Sequence, residues 1–197
     1  SIVSIFHNVN CKDTSLPMGD DTRFIWGRNV IEGKIGKLSF EMSPESFYQV
    51  NPEQTKVLYD FVADMAGLTG NELVVDAYCG VGTIGQYLAP GAKSVIGIES
   101  VGASIGEARE NARKNKITNA EYLAGDCRKV FPQLISAGKR PDVVIIDPPR
   151  KGCDKEFLDA LTAAAPSKII YVTCNVATMA RDIKPLLSTG YTISRIQ

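Results

Sequence analysis

The chain has 197 residues, 44% of them apolar, enough for one packed domain and a small appendage. Its 22 basic and 22 acidic residues cancel, so no global field advertises a polyanion, and any nucleic-acid contact must come from local clusters or another domain. No apolar run approaches the roughly 20 residues that span a bilayer, and the opening SIVSIFHNVN has neither a basic n-region nor a cleavage site, so a cytoplasmic protein without a membrane partner is expected.

The first forty residues carry short β-prone runs, IVSIF, RFIWG and KLSFEM, broken by LPMGDD, GRN and EGKIGK. They predict strands and hairpins that cannot form a core alone. His7, the only histidine, and Trp26 fall here; a surface or packing role is expected for His7, and packing between hairpins for Trp26. From Asn51 the pattern changes. Asn51 can cap a helix, Pro52 suits its first position, Gln54 completes a capping box, and Val57, Leu58, Phe61, Val62 and Met65 recur at helical spacing up to Gly67.

Strands and helices then alternate: ELVVDAY, a helix from Thr83, SVIGIE, a helix around Ala103 to Lys116, AEYLAGD, a helix near Cys127 to Ala137, and DVVIID. A helix from Asp154 to Ala164, IIYVTC, a helix from Ala177 to Leu187 and a last predicted strand, YTISRIQ, complete the chain. Apolar strands separated by amphipathic helices imply an α/β fold, a Rossmann-like parallel sheet covered on both faces, with the small β appendage at its N-terminus. The expected division is 1–42 for the appendage and 43–197 for the sheet domain. A chain ending on an unclosed strand reads as a fragment cut at both ends.

Ligands of such sheets bind at the carboxyl ends of the strands. The residues there are Asp76, Glu99, Asp126, Asp147 and Cys174. DAYCGVGTIG places Gly80, Gly82 and Gly85 in GxGxxG spacing, with Glu99 at the end of the next strand, which alone would indicate a dinucleotide. Asp76 argues otherwise, because a pyrophosphate would have to approach its carboxylate, whereas S-adenosylmethionine carries a sulfonium and an ammonium and no phosphate. In that reading Gly80 and Gly82 let the backbone approach the ligand, Glu99 accepts ribose hydroxyls, and Asp126 lies near the adenine. The bland alternative is a tight turn with helix-capping acids.

DPPRKGCD follows the strand DVVII, and its two prolines stiffen the loop holding Asp147, with Arg150 and Lys151 beyond. The five cysteines, Cys11, Cys79, Cys127, Cys153 and Cys174, are scattered and contain no CxxC pair, so reduced thiols are expected rather than disulfides or a zinc site. Free cysteine is commonly buried and structural, but Cys174 ends the next strand along the chain, and if that strand and the one ending in Asp147 are neighbours, thiol, carboxylate and methyl donor share one cleft.

FYQVNPEQT, DAYCGVGT, DPPRKG and TCNVATMARD, in this order, resemble the RNA uracil-5 methyltransferases, which make 5-methyluridine, and the ribosomal branch more than the transfer-RNA branch. The resemblance covers about residues 43–197, with 1–42 similar to the end of the family's central β domain. It implies S-adenosylmethionine as cofactor and RNA (23S ribosomal RNA) as partner; no protein partner is evident in the sequence. By the same resemblance Cys174 is the nucleophile that adds to uracil C6 and Asp147 lies beside the reacting base and cofactor. Tyr78 and Thr83 join Asp76, Gly80, Gly82, Glu99, Asp126, Asp147 and Gln49 at the cofactor, Phe47 and Arg150 face the target base, and Arg181 supports the nucleophile loop. Such a base must leave its stack.

Three departures accompany the match. Val176 stands where the family usually has the proline of CNP; the family's general-base glutamate lies just beyond the last strand, so this chain is expected to lack it; and the chain is expected to lack the family's amino-terminal RNA-binding domain and the clustered cysteines that hold an iron-sulfur cluster in some members. Competing readings are an amino-directed nucleic-acid methyltransferase, which wants an aromatic residue where Arg150 stands, a non-catalytic RNA-binding module, and an NAD oxidoreductase.

Overall fold

The computed structural model describes residues 2–11, 19, 21–44, 46–49 and 51–197. Two antiparallel hairpins come first: β1 (Ser4–Val9) with β2 (Asp21–Gly27), and β3 (Ile31–Ile35) with β4 (Leu38–Met42). The turn expected at LPMGDD lies largely outside the described residues. EGKIGK, read above as a break, is mostly strand, with the reversal confined to Gly36 (φ +59°) and Lys37. Gly33 made that run look like loop. It is needed because a Cβ there would lie 2.6 Å from the Tyr48 hydroxyl. Trp26 does not pack between hairpins; it is 57% exposed.

Asn51 caps α1 (Pro52–Ala66), its Oδ1 accepting from the Gln54 amide at 3.1 Å, and Gly67 closes the helix in the left-handed region. Five strands follow, β5 (Leu73–Ala77), β6 (Ser94–Glu99), β7 (Ala120–Ala124), β8 (Val143–Ile146) and β9 (Lys168–Tyr171), all parallel in the order β7-β6-β5-β8-β9. Between and after them run α2 (Thr83–Leu88), α3 (Gly102–Lys114), α4 (Cys127–Ser136), α5 (Lys155–Ala164) and α6 (Val176–Leu187). The chain builds outward from β5 through β6 to β7, then returns to β8 on the other side of β5. That reversal opens the crevice in which doubly wound sheets bind ligands.

Strand residues alternate between two cores, as a period of two dictates. Val74, Val95, Val143 and Ile145 pack with α1, α2 and the buried Ile35, Phe40 and Met42 of the β3–β4 hairpin. Val75, Ala77, Val144 and Ile146 pack on the other face with Phe131, Phe157 and Leu161. The last predicted strand is absent: residues 191–197 form no ladder, and Arg195 instead pairs with Asp64 at 2.6 Å and lies over the Phe61 ring. A period-two pattern supplies propensity, but a strand also needs a partner edge.

The β3–β4 hairpin is fastened to α3 by a polar ladder. Ser39 and Glu41 each donate their amide to an asparagine Oδ1, of Asn115 (3.0 Å) and Asn111 (2.8 Å), and accept from that residue's Nδ2 at 2.9 and 3.0 Å. Glu107 extends it by accepting from the Ser43 amide at 3.2 Å and the Ser46 hydroxyl at 2.7 Å. The match is metrical, since four helical residues rise about 6 Å and two strand residues about 6.8 Å. Side chains 107, 111 and 115 thus act as a neighbouring strand along the edge of β4, and they fix the segment that leads to Phe47 and Gln49.

Candidate active site

The crevice is lined first by the turn after β5. Tyr78 takes φ +64°, unusual for a residue with a side chain, and Gly80 (+54°) and Gly82 (+79°) continue the reversal into α2. A Cβ on Gly82 would sit 2.8 Å from the Tyr122 ring and one on Gly85 2.9 Å from Asp76 Oδ2, whereas one on Gly80 would meet nothing within 4 Å. Gly82 and Gly85 therefore serve close packing, while Gly80 borders open space. Glu99 ties the turn to β6, accepting from the Gly80 amide at 3.1 Å through Oε2 and from the Val101 amide at 2.8 Å through Oε1. Thr83 shares a 2.7 Å hydroxyl contact with Tyr59 of α1. Asp126 caps α4 and is ion-paired with Arg128, which holds its carboxyl at about 2.

Asp76 is fully buried. One oxygen accepts from the Gly85 amide at 2.8 Å, and the other has no hydrogen-bond partner among the described residues. Burial, reinforced by the nearby Asp147 and Glu99 charges, pushes its carboxyl up to about 7 against the Gly85 hydrogen bond. Desolvation likewise raises Asp147 to about 6. An orphaned buried oxygen, with further carboxylates at the same sheet edge, suits a ligand carrying positive charge and opposes a pyrophosphate. S-adenosylmethionine fits that donor set. Among the described residues no group of three or more His, Cys, Asp or Glu could hold a metal ion, and no helix is long and apolar enough to cross a membrane.

The other wall is formed by the ends of β8 and β9. Ile146 pairs with Tyr171, so Asp147 lies one residue and Cys174 three residues beyond a shared rung. Cys79, Cys127 and Cys153 are buried, but Cys174 is exposed, which separates it from the structural thiols. Asn175 caps α6, accepting from the Ala177 amide at 3.1 Å, and its Nδ2 donates to the Arg150 carbonyl at 3.1 Å. Val176 occupies the first helical position, 70% exposed, so the turn keeps its cap without the proline.

Arg181 donates from Nη2 to the Lys151 carbonyl at 2.8 Å, in the loop after β8 and not in the Cys174 turn itself. Beside it lies a residue that the sequence reading passed over. Asp182, with no exposed surface, accepts from the Cys153 amide and the Tyr171 hydroxyl, both at 2.7 Å, and from Arg181 Nε at 2.8 Å. Its signal was available: it stands one helical turn before the buried Leu186, on an inward face where an acid must find partners. The Arg150 side chain is exposed, Phe47 is 73% exposed and Gln49 is half-buried. Topology thus gathers Asp76, Tyr78, Gly80, Gly82, Thr83, Glu99, Asp126, Asp147 and Cys174 at one sheet edge. Phe47 and Gln49 come from the hairpin side.

A family model described as "Methyltransferase domain" matches residues 68–187. The chain belongs to this methyltransferase-domain family. The chain is also similar to a tRNA (uracil-54, C5)-methyltransferase from Pyrococcus abyssi, solved with S-adenosyl-L-homocysteine, at TM-score 0.76 and 33% identity over 93% of this chain and 44% of that one. A SAM-dependent methyltransferase from Agrobacterium tumefaciens, at TM-score 0.61 and 18% identity over 78% of this chain and 56% of that one, shares the fold. Proteins named as uncharacterized RNA methyltransferases from Halalkalibacterium halodurans and Enterococcus faecalis are 47% and 49% identical over 196 residues, the whole of this chain. The chain spans 43% of the length of each. The fold is the Rossmann-like S-adenosylmethionine-dependent methyltransferase fold, preceded by antiparallel strands.

Proposed function

We propose that the protein methylates C5 of a uridine in RNA, using S-adenosylmethionine and a covalent intermediate on Cys174. The observation that carries this reading is the exposed thiol at the end of β9, one strand away from Asp147 and the acidic cofactor crevice. Amino-directed transfer needs no such thiol. The named activities of the similar Pyrococcus enzyme and of the two RNA methyltransferases point the same way. Within RNA, 23S ribosomal RNA is the substrate that the motif resemblance favours, and the cytoplasm is the expected compartment. We assign residues 43–197 to catalysis and 1–42 to the flanking β unit.

Uracil C5 is a weak nucleophile, and the protein's task is to activate it. The cofactor, when bound, supplies an electrophilic methyl on its sulfonium. Cys174, as thiolate, adds to C6 and pushes the electron pair through the ring, so that C5 becomes an enolate carbon able to take the methyl. Loss of the C5 proton to a base and expulsion of the Cys174 thiolate then restore the double bond. Asp76 and Glu99 orient the cofactor's ammonium and ribose, Tyr78, Gly80, Gly82, Thr83, Asp126 and Gln49 complete its cradle, and Asp147 borders both reactants. Phe47 offers an exposed ring to a flipped base, with Arg150 beside the RNA.

The deciding experiment is mass spectrometry of the protein with S-adenosylmethionine and an RNA bearing 5-fluorouridine, whose fluorine cannot leave as a proton and so traps the adduct. A stable adduct on Cys174 is expected, lost in Cys174→Ala while S-adenosylhomocysteine binding survives. Methyl transfer to ordinary RNA that persists in Cys174→Ala would overturn the covalent reading. Parallel trials with 23S and transfer RNA transcripts decide the substrate.

A further inference from the structure

The loop after β8 and the helix after β9 are separate pieces of chain, yet the proposed chemistry requires Asp147 and Arg150 on one to be held in register with Cys174 on the other. Three neighbours on the Cys174 side grip successive backbone groups of the loop. Asn175 takes the Arg150 carbonyl (3.1 Å), Arg181 the Lys151 carbonyl (2.8 Å), and Asp182 the Cys153 amide (2.7 Å). Between these last two lies Gly152, at φ +79°, where a Cβ would fall 2.4 Å from Asp182 Oδ2 and 2.6 Å from Arg181 Nη2. Loop backbone and helix side chains are thus in direct contact, with no room for a residue between them.

Of the three grips only Asp182 is wholly buried, and it alone also reaches β9, the strand that leads to Cys174, through the Tyr171 hydroxyl at 2.7 Å. Its carboxylate is the common acceptor of three donors, one each from the loop (Cys153), β9 (Tyr171) and α6 (Arg181). Hydrogen bonds to a charged acceptor are stronger and more directional than neutral ones. We infer that Asp182 is a positioning residue for the reaction: it never touches substrate, but sets the distance between the Asp147–Arg150 loop and the Cys174 turn. The inference rests on the covalent reading above. A misplacement of about 1 Å can cost about 100-fold in rate, so the device should show in the chemical step far more than in cofactor binding, most of whose cradle lies at the ends of β5, β6 and β7 with only Asp147 on the positioned loop.

The test is the rate of 5-fluorouridine adduct formation at saturating RNA, measured beside S-adenosylhomocysteine affinity and thermal melting, for the unsubstituted protein, Asp182→Asn and Tyr171→Phe. We expect Asp182→Asn to slow adduct formation at least tenfold, with cofactor affinity held within twofold, and Tyr171→Phe, which removes one donor and leaves the carboxylate, to fall between. An unsubstituted protein that forms no adduct overturns the covalent reading and this inference together. A reactive unsubstituted protein beside equally fast variants overturns the positioning role alone, as does a loss of rate matched by an equal loss of cofactor affinity. Should Asp182→Asn fail to fold, Tyr171→Phe decides, and a rate within twofold of the unsubstituted protein refutes the inference.

Discussion

At the scale of single residues, Asp76 is the most informative side chain because it is costly. An acid with no exposed surface and one unpartnered oxygen persists where a ligand can use it. Its folded pKa, raised from 3.8 to about 7, means that the folded chain holds a proton that the unfolded chain gives up near pH 4. The favourable contribution is complete below pH 4, declines as the pH rises, and is gone once the buried carboxyl ionises near 7. At about 1.4 kcal/mol for each pH unit of that window, the loss is on the order of 4 kcal/mol. Asp76→Asn removes the titration and leaves an oxygen for the Gly85 amide. Urea unfolding between pH 5 and 8 should therefore give a flatter profile for the variant and greater stability than the unsubstituted protein at pH 8. Cofactor affinity at pH 8 should fall at least tenfold, about 1.4 kcal/mol, for want of the charge. Parallel pH profiles would show that Asp76 is already ionised in the folded chain.

Among the elements, the ladder from α3 to β4 makes the sharpest claim. Asn111 is fully buried, and its two hydrogen bonds satisfy both the N–H and the C=O of Glu41. Asn111→Ala strands both groups, at about 1–3 kcal/mol each. Asn115→Ala affects the exposed end at Ser39, where water can replace the side chain, and removes one donor from the buried Gln86 Oε1. Denaturant unfolding should therefore show about 2–6 kcal/mol lost for Asn111→Ala and a smaller loss, about 1–3 kcal/mol, for Asn115→Ala, and equal losses would mean that the edge of β4 is hydrated at both positions. The ladder also marks the limit of what the sequence disclosed. The five parallel strands were legible because each is an apolar run bounded by polar turns, and α1 because Asn51, Pro52 and Gly67 punctuate it. The acids, glycines and Cys174 were legible because the sheet rule sends strand ends to one edge. Nothing in a helical pattern says that a strand edge lies opposite Asn111 and Asn115. Gly33 hid β3 for want of its partner Tyr48, and YTISRIQ had strand composition without a neighbour. What escaped the reading was pairwise.

For the whole molecule, the balance of charge conceals a polarised distribution. Equal numbers of acids and bases give zero net charge, yet the carboxyl edge of the sheet collects Asp76, Glu99, Asp126 and Asp147, and among the described residues only Asp126 of these has a close cationic partner. That edge discriminates between the two cofactors that a GxGxxG turn can serve. S-adenosylhomocysteine brings an ammonium and ribose hydroxyls to it, whereas NAD brings two phosphate charges toward a buried carboxylate and toward Glu99, which already occupies the Gly80 amide. The turn amide that would greet a pyrophosphate is thereby spent. Ligand that binds only the folded state at a hundred times its Kd stabilises by about 2.7 kcal/mol, which for a domain of this size raises Tm by roughly 5–11 °C. S-adenosylhomocysteine should produce a shift of that order in differential scanning fluorimetry. NAD at the same concentration should produce less than about 1 °C, the response of a ligand well below its Kd. Asp76→Asn should narrow the contrast from both sides, by weakening the ammonium contact and by relieving the repulsion of phosphate. A larger shift with NAD than with S-adenosylhomocysteine would mean that the carboxylates face away from the crevice and that the turn binds phosphate after all.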